Sequence, residues 1–254
     1  MLGSHFLREF KKKSFTITSP TRNELFNIYD YISIFNYLKN NKFDLVINCI
    51  SKNGINPCFD DKHSAFKINS LFPQFLSQAC ERVGTRLLLF STEMIFAESE
   101  SLPNIKTKPN PNTYYGITKY FGEVFNSNNT IVRLPLLVSK KPNNQMIWKL
   151  INKLNNNEFI KVSQDEYSTP VFAEQIAETI IEEYIKKNLF INLIHFASAK
   201  RISLYETIKR LATNLSIDTS RILKCNAKEF KAKEQKPLNS GLFPSHTFSK
   251  MEFL

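Results

Sequence analysis

A tyrosine and a lysine four residues apart carry the clearest chemical signal in the sequence. Tyr115 and Lys119 enclose the run Gly-Ile-Thr, and at this spacing on a helix their side chains lie on the same face. An ammonium group beside a phenol stabilises the phenolate, so we expect Lys119 to lower the pKa of Tyr115. Such a pair would suit proton donation to a carbonyl group that accepts a hydride. The spacing by itself is weak, because it also arises by chance on solvated helix faces.

Two hydroxyl residues stand at the end of an apolar run that precedes this pair. Ser91 and Thr92 follow a run of three leucines and a phenylalanine. In open α/β sheets ligands bind outside the carboxyl ends of the strands, so a hydroxyl here would reach a substrate oxygen beside Tyr115. The alternative is that both hydroxyls only satisfy backbone groups where the strand ends.

These residues lie within an alternation of short apolar runs and amphipathic segments. Runs nearly continuous in Leu, Ile and Val are typical of strands buried on both faces of a parallel sheet, and apolar residues three or four apart predict helices. We predict strands at residues 15–18, 44–48, 86–90, 130–133 and 193–196, and helices at 31–40, 64–83, 172–187 and 203–215. This order predicts the α/β class with a doubly wound parallel sheet.

Two segments interrupt the alternation and predict a second unit. Residues 97–113 are a loop rich in Pro, Asn and Ser that follows a strand end. We therefore assign residues 1–138 and 163–198 to a sheet-bearing core. Residues 139–162 and 199–254 would form a small α/β annex that closes over the carboxyl edge of the sheet.

Composition excludes several classes of protein. The net charge of +11 suggests a nucleic-acid partner, but the basic residues are scattered and do not alternate with aromatic ones, so we expect no such partner. No apolar run approaches the length of a membrane span, and the chain does not begin like a signal peptide. We expect a soluble, cytoplasmic protein with no membrane partner.

The four cysteines and four histidines show no metal-ligand spacing, which predicts reduced thiols and no metal site.

Several motifs in a fixed order resemble those of the extended short-chain dehydrogenases/reductases. Residues 91–96 read S-T-E-M-I-F, and residues 112–123 read N-T-Y-Y-G-I-T-K-Y-F-G-E. Within that group they look most like the dTDP-4-dehydrorhamnose reductase family, which reads S-T-D-Y-V-F and then N-x-Y-G-x-[ST]-K-x-x-G-E. Further similar segments are 44–48, 65–79, 131–133, 165–170 and 236–242. The resemblance therefore extends over nearly the whole chain.

The resemblance implies NAD(P)H-dependent reduction of the 4-keto group of a dTDP-linked 6-deoxyhexulose, as in dTDP-L-rhamnose and polysaccharide biosynthesis. It implies a Rossmann-like core for the dinucleotide, an annex for the sugar nucleotide, NADPH or NADH as cofactor, and it allows a homodimer. The implied catalytic residues are Thr92, which would bind the reacting oxygen, Tyr115, which would give the proton, and Lys119, which would hold the nicotinamide ribose. The implied cofactor-binding residues are Gly3, Arg22, Asn48, Cys49, Ile50, Ser51, Asn69, Tyr115 and Lys119. The implied substrate-binding residues are Glu93, Met94, Asp165 and Glu166.

The chain also departs from the family pattern. The family begins with a strand and G-x-x-G-x-x-G, whose glycines let a pyrophosphate approach a helix N-terminus. This chain begins Met-Leu-Gly-Ser, so we expect the first strand to be missing, its neighbours in the sheet to be unpaired, and a chain that starts here to bind cofactor poorly. Glu93 and Met94 replace Asp-Tyr, Ser168 replaces a glycine and Lys236 replaces an arginine. Arg22 stands where an acidic residue would bind a ribose hydroxyl, which favours NADPH.

Two other functions stay open on this evidence. A sugar-nucleotide epimerase or dehydratase of the same superfamily would hold NAD+ tightly without net consumption. A truncated, non-catalytic nucleotide-binding or regulatory protein is the other alternative. The incomplete glycine motif favours it, whereas the retention of Thr92, Tyr115 and Lys119 argues against it.

Overall fold

The computed structural model describes residues 2–20 and 27–254, in which strands alternate with helices. The strands are β1 (Leu45–Asn48), β2 (Arg86–Thr92), β3 (Asn129–Leu134), β4 (Leu137–Val138), β5 (Ile160–Ser163), β6 (Tyr167–Ser168), β7 (Val171–Phe172), β8 (Leu193–His195), β9 (Ala197–Ser198), β10 (Ile202–Ser203), β11 (Ile222–Cys225) and β12 (Lys250–Met251). The α-helices are α1 (Leu2–Lys11), α2 (Tyr31–Asn41), α3 (Ile55–Asp60), α4 (Lys62–Phe66), α5 (Phe72–Val83), α6 (Tyr114–Phe121), α7 (Met146–Asn155), α8 (Ala173–Thr179) and α9 (Leu204–Asn214). Two π turns, Lys67–Leu71 and Ile180–Ile185, continue α4 and α8, and short 3-10 turns cover Glu93–Ile95, Ala227–Glu229 and Thr247–Ser249.

A parallel sheet of strand order β1-β2-β3-β8 forms the centre of the protein. Its side chains alternate between two apolar clusters because successive residues of a strand point to opposite faces. Leu88 and Val132 pack with α1 and α8 on one face, whereas Leu87, Leu89 and Ile131 pack with α2 and α5 on the other. Helices therefore cover both faces, and the predicted Rossmann-like α/β fold class is confirmed.

The strand predicted at residues 15–18 is absent from the structure, and that prediction is wrong. A strand needs a neighbour for its hydrogen-bond ladder, and no described strand pairs with this segment. Phe15 instead contacts Phe10 of α1 edge to face, with ring centroids 5.0 Å apart. Among the described residues β1 likewise has a partner on one side only. The other predicted strands and helices are present, with ends shifted by one or two residues.

The helix predicted at residues 64–83 contains a π turn in its middle. The carboxylate of Asp61 accepts a hydrogen bond from the backbone N–H of Ser64 and begins the helix. Gly84 ends it at a φ of 72°, a left-handed conformation that favours glycine. The π turn between these ends carries Asn69, and such turns often mark functional positions. No helix within the described residues is long and apolar enough to cross a bilayer.

The predicted annex segments share an apolar cluster of their own. Trp148 and Ile151 of α7 pack with Ile208 and Leu211 of α9. The strands β5 and β11 pair in parallel beside them. Phe172, next to the annex, also joins this cluster, so the assignment of core and annex boundaries stays a prediction.

Candidate active site

The carboxyl end of β2 presents Thr92 to helix α6. Thr92 is buried, and its hydroxyl accepts a hydrogen bond from the backbone N–H of Met94 at 3.3 Å, which caps the turn Glu93–Ile95. The same side chain acts on the phenol of Tyr115 and lowers its pKa. The structure therefore brings together two of the three predicted catalytic residues.

Helix α6 packs very closely against this strand end. The hydroxyl of Thr113 accepts from the backbone N–H of Gly116 at 3.1 Å and begins the helix. A Cβ added to Gly116 would lie 2.1 Å from the carbonyl oxygen of Met94, and one added to Gly122 would lie 2.0 Å from that of Asn69. Only glycine permits these approaches, which set the position of the helix that carries Tyr115.

The phenol of Tyr115 is held in its neutral form. Burial raises the pKa of Tyr115 to about 12, and the interaction with Thr92 offsets this only in part. The ammonium of Lys119 donates to the backbone carbonyl of Phe90 at 2.7 Å, and it does not counter the effect of burial on the phenol. The expectation that Lys119 lowers the pKa of Tyr115 is therefore wrong for this arrangement.

Burial also has the largest effect on the pKa of Lys119. It lowers the pKa of Lys119 to about 8, because the interior disfavours the ammonium form, while the carboxylate of Glu123 opposes the shift. Glu123 is itself held by Arg133, with Nε to Oε1 at 2.9 Å and Nη2 to Oε2 at 2.6 Å. Nη1 of Arg133 lies 3.2 Å from Nε2 of His195, whose pKa burial lowers to about 3. A buried ion pair and a neutral histidine therefore surround the end of α6.

Asn69 joins the loop after β1 to helix α6. Its Oδ1 accepts from the backbone N–H of Lys52 at 2.9 Å and from the hydroxyl of Ser51 at 3.2 Å. Its Nδ2 donates to the carbonyl of Lys52 at 2.9 Å and to Oγ1 of Thr118 at 3.1 Å. The amide is fully engaged within the protein, so Asn69 would reach a cofactor through the loop that it holds.

The other predicted cofactor residues lie on that loop and against it. Asn48 is buried at the end of β1, and its Oδ1 accepts from the backbone N–H of Ile50 at 3.0 Å. Gly3, in the first turn of α1, lies against Cys49, and a Cβ there would be 3.2 Å from the Cβ of Cys49. The first turn of α1 and the residues 48–51 therefore share the carboxyl edge of the sheet.

The predicted substrate residue Glu93 is enclosed by protein groups. It is 5 % exposed, and its two carboxylate oxygens lie 2.7 and 3.0 Å from the donating hydroxyl of Ser168. Burial raises the pKa of Glu93 to about 7, while the Ser168 bond, the backbone N–H of Gly241 and the charges of Lys236 and Arg201 oppose the shift. Two residues that depart from the family pattern are therefore in direct contact.

The remaining predicted residues are less central to this arrangement. Asp165 accepts hydrogen bonds from the hydroxyl of Ser163 and the backbone N–H of Ala227, and Glu166 pairs with Lys236 at 2.7 Å. Met94 is half-buried in the turn that contacts α6. Arg22 lies outside the described residues.

Sequence reasoning missed a segment, residues 233–236, that crosses the site. Lys233 pairs with Asp60 of α3, and the carboxylate of Glu234 accepts from the backbone N–H of Tyr114 at 2.9 and 3.1 Å. Lys236, the last residue of the segment, forms the ion pair with Glu166. Glu234 caps a helix that begins 120 positions earlier in the chain, so no pattern in the sequence around it reveals this contact. Only the neighbouring segment 236–242, which resembles the family, could have drawn attention to it.

This edge of the sheet suits a nicotinamide cofactor and a carbonyl substrate. It holds a neutral phenol, a threonine hydroxyl and a buried lysine next to the loop 48–51. The hydroxyl of Ser91, also at the end of β2, is buried with no partner among the described residues, and a bound molecule could satisfy it. The N-terminal turn of α1 with Gly3 suits the approach of a diphosphate. The donors present therefore fit such a cofactor.

Comparison with known proteins agrees with this geometry. The family described as RmlD substrate binding domain matches residues 1–253. The spore coat polysaccharide biosynthesis protein SpsK of Bacillus subtilis is 21 % identical over 95 % of this chain and 85 % of its own length. The dTDP-4-dehydrorhamnose reductase of Streptomyces griseus is 26 % identical over 71 % of this chain and 60 % of its own length.

A solved structure shares the fold. The dTDP-4-dehydrorhamnose reductase of Bacillus anthracis, in complex with NADP, superimposes with a TM-score of 0.87 at 21 % identity, covering 96 % of this chain and 87 % of that one. At this identity the likeness shows the fold, whereas the match over residues 1–253 shows the family. The chain therefore belongs to the RmlD substrate binding domain family, that of the dTDP-4-dehydrorhamnose reductases, as its motifs predicted.

Proposed function

We propose that the protein is an NAD(P)H-dependent oxidoreductase that reduces the 4-keto group of a dTDP-linked 6-deoxyhexulose. The observation that carries the proposal is the placement of Thr92, at the end of β2, close enough to Tyr115 of α6 to lower the pKa of its phenol, with Lys119 on the same helix. The reaction would belong to dTDP-L-rhamnose biosynthesis or to the synthesis of a related polysaccharide precursor. A homodimer and a cytoplasmic location are predictions that accompany it.

The names of the relatives support the choice of substrate and cofactor. The Streptomyces griseus relative is a dTDP-4-dehydrorhamnose reductase, the Bacillus anthracis protein binds NADP, and SpsK is named for polysaccharide biosynthesis. NADPH is therefore the cofactor to test first. Arg22 remains the predicted contact for its 2′-phosphate.

In the proposed mechanism Tyr115 gives the proton. Its raised pKa keeps the phenol protonated at neutral pH, so the proton is present when the substrate oxygen arrives. Thr92, which acts on the same phenol, would hold that oxygen within hydrogen-bonding distance. Lys119, on the same helix, donates to the carbonyl of Phe90 and would act on the cofactor instead of on the phenol.

The same residues would orient the cofactor and the sugar. Lys119, the loop 48–51 and Gly3 would hold the dinucleotide, which supplies the hydride when bound. Met94 would face the sugar from the turn after β2. Asp165 and Glu166 would border the nucleotide from the loop between β5 and β6, which their present contacts fix.

The test is consumption of NADPH in the presence of a dTDP-4-keto-6-deoxyhexulose. Replacing Tyr115 by Phe removes the proton donor and little else, so we expect Tyr115→Phe to lower kcat by about 100-fold or more with little change in KM. Tyr120→Phe is the matched control, because Tyr120 lies on the same helix with 37 % of its surface exposed. It should retain full activity.

Other outcomes would point elsewhere. An active Tyr115→Phe enzyme would refute the proposed role of the phenol. Conversion of the sugar nucleotide without net loss of NADPH would indicate an epimerase or dehydratase. Binding of NADPH and of the sugar nucleotide without turnover would indicate a non-catalytic protein.

A further inference from the structure

Glu93 and Ser168 are two departures from the family pattern that meet in the folded chain. We infer that they form a positioning pair, which fixes the turn after β2 and through it the alignment of Thr92 with Tyr115. The inference rests on the proposed function and assigns a role that the resemblance did not supply. It also changes the assignment of Glu93 from a substrate ligand to a positioning residue.

The carboxylate of Glu93 is directed at protein groups. The hydroxyl of Ser168 lies 2.7 and 3.0 Å from its two oxygens, and the backbone of Gly241 acts on the same carboxylate and opposes its raised pKa. Ser168 is in turn fixed, because its oxygen accepts from the backbone N–H of Leu136 at 3.1 Å. Since both side chains are buried, the pair is held on all sides and has little freedom to turn toward a substrate.

The pair acts on the catalytic residues through the turn Glu93–Ile95. Glu93 is the first residue of that turn, and Thr92 caps it through the backbone N–H of Met94. The carbonyl of Met94 lies so close to α6 that only glycine is accommodated at position 116. A displacement of Glu93 would therefore move Thr92 directly and Tyr115 through the packed helix.

The pair also connects the core to the annex. Ser168 pairs with Ile202 across β6 and β10, and Gly241 belongs to the segment 236–242, one of those that resemble the family. Gly241 has a φ of 119°, a conformation that favours glycine, and its backbone opposes the raised pKa of Glu93. Three segments distant in sequence therefore meet at one carboxyl group.

The motif pattern that the chain resembles has Asp and Gly at these two positions. Glu93 adds one methylene of reach, and Ser168 adds the hydroxyl that receives the carboxylate. The charged groups that act on Glu93 are Lys236 and Arg201, and its charge in turn acts on Tyr115.

The first experiment compares the steady-state kinetics of Ser168→Ala and Ser168→Thr with those of the wild type. Loss of one hydrogen bond to a buried carboxyl predicts a drop in kcat of about tenfold for Ser168→Ala with KM nearly unchanged. Because the Ser168 bond opposes the raised pKa of Glu93, its loss should also move the acidic limb of the pH profile upward. Ser168→Thr keeps the hydroxyl and should recover most of the activity.

Ser220→Ala is the control, since Ser220 donates to the carboxylate of Asp218 at 2.7 Å on the exposed surface of the annex. Its kcat and pH profile should match the wild type. A role limited to stability would lower the melting temperature of Ser168→Ala but leave the kcat of the folded enzyme and its pH profile in place. That result would overturn the inference.

The second experiment needs no substrate and so separates this inference from the proposed function. Carbon-13 labelling of glutamate carboxyls, with Glu93→Gln to assign the resonance, follows the titration of Glu93 by NMR. We expect an apparent pKa near neutrality in the wild type and a higher one in Ser168→Ala. A Glu93 resonance that titrates alike in both proteins would refute the pair even if the enzyme were a reductase. If no keto sugar is reduced but the pKa of Glu93 is higher in Ser168→Ala, the proposed function is wrong while the pairing of Glu93 with Ser168 is supported.

Discussion

The pKa values of the ionisable residues in the site are set by burial more than by the pairing of charges. Burial raises the pKa of Tyr115 to about 12 and lowers that of Lys119 to about 8. In both cases the interior favours the neutral form. A neutral phenol carries the proton that the proposed reduction requires, and a lysine with a pKa near neutrality can change charge during a catalytic cycle.

Lys119 therefore carries a cost in stability that depends on pH. Its folded pKa of about 8 lies below the ordinary value of 10.5, so the unfolded chain binds more protons between these two values and the contribution of Lys119 to stability rises with pH there. Lys119→Met should be more stable than the wild type near pH 7, and this advantage should shrink by about 3 kcal/mol between pH 8 and 10.5. Denaturant unfolding of both proteins at several pH values measures the difference. An advantage that stays constant with pH would contradict the assigned shift.

The roles of single residues were predictable only in part. The helical spacing of Tyr115 and Lys119 placed both on α6, and the strand-end rule placed Thr92 near them. The direction of the Tyr115 shift was not predictable, because it depends on how deeply other elements cover the phenol. The contact of Glu93 with Ser168 was equally hidden, since it joins positions 75 residues apart.

At the scale of elements, the approach of α6 to the end of β2 sets the geometry of the site. Gly116 allows the helix to touch the carbonyl of Met94, and Gly122 allows its end to touch the carbonyl of Asn69 in the π turn. Neither neighbour can move easily, because each is a backbone atom within a hydrogen-bonded turn.

A methyl group at Gly116 should push the helix away from the strand. A Cβ there would lie 2.1 Å from the carbonyl of Met94, so we expect Gly116→Ala to cost about 3 kcal/mol or more and to abolish activity. Gly84→Ala is the comparison, because a Cβ there meets nothing within 4 Å and the strain of its φ of 72° costs about 1 kcal/mol. Denaturant unfolding compares the two. Equal losses of stability would show that the close approach is not required.

Glu234 should stabilise the first turn of α6 from outside the helix. Its carboxylate accepts from the backbone N–H of Tyr114, where a helix N-terminus favours negative charge. Glu234→Ala should lower stability by about 1 kcal/mol and reduce kcat, while Glu234→Gln, which keeps an acceptor oxygen, should lose less. Glu229→Ala removes a comparable cap at Asn226 in the annex and should leave kcat unchanged. If both alanine variants had the wild-type kcat, the cap would have no part in aligning the site.

The helices and strands were largely predictable, because the spacing of apolar residues and the composition of a strand can be recognised within a short stretch of sequence. The prediction of a strand at 15–18 was wrong because a strand also needs a neighbouring strand to pair with. The local sequence does not indicate whether such a neighbour exists. The π turn around Asn69 and the segment 233–236 were missed for a similar reason. Both are defined by contacts with α6 rather than by their own sequence.

For the molecule as a whole, segments that are distant in sequence meet beside the site. The hydroxyl of Ser168 holds the carboxylate of Glu93 just after β2, and Lys236 pairs with Glu166 nearby. The buried pair of Arg133 and Glu123 supports the far end of α6. The division into core and annex stays a prediction, and the side chains that tie these segments together depend on the tertiary structure.

The central claim is that this chain transfers a hydride to C4 of a dTDP-linked keto sugar with Tyr115 as proton donor. The most direct measurement uses NADPH that carries deuterium at the transferring position, with mass spectrometry of the sugar product. We expect one deuterium at C4 of the dTDP-6-deoxyhexose, equal to the NADPH consumed, in the wild type and in Tyr120→Phe, and almost none in Tyr115→Phe. A product without deuterium, or a labelled product formed equally well by Tyr115→Phe, would contradict it.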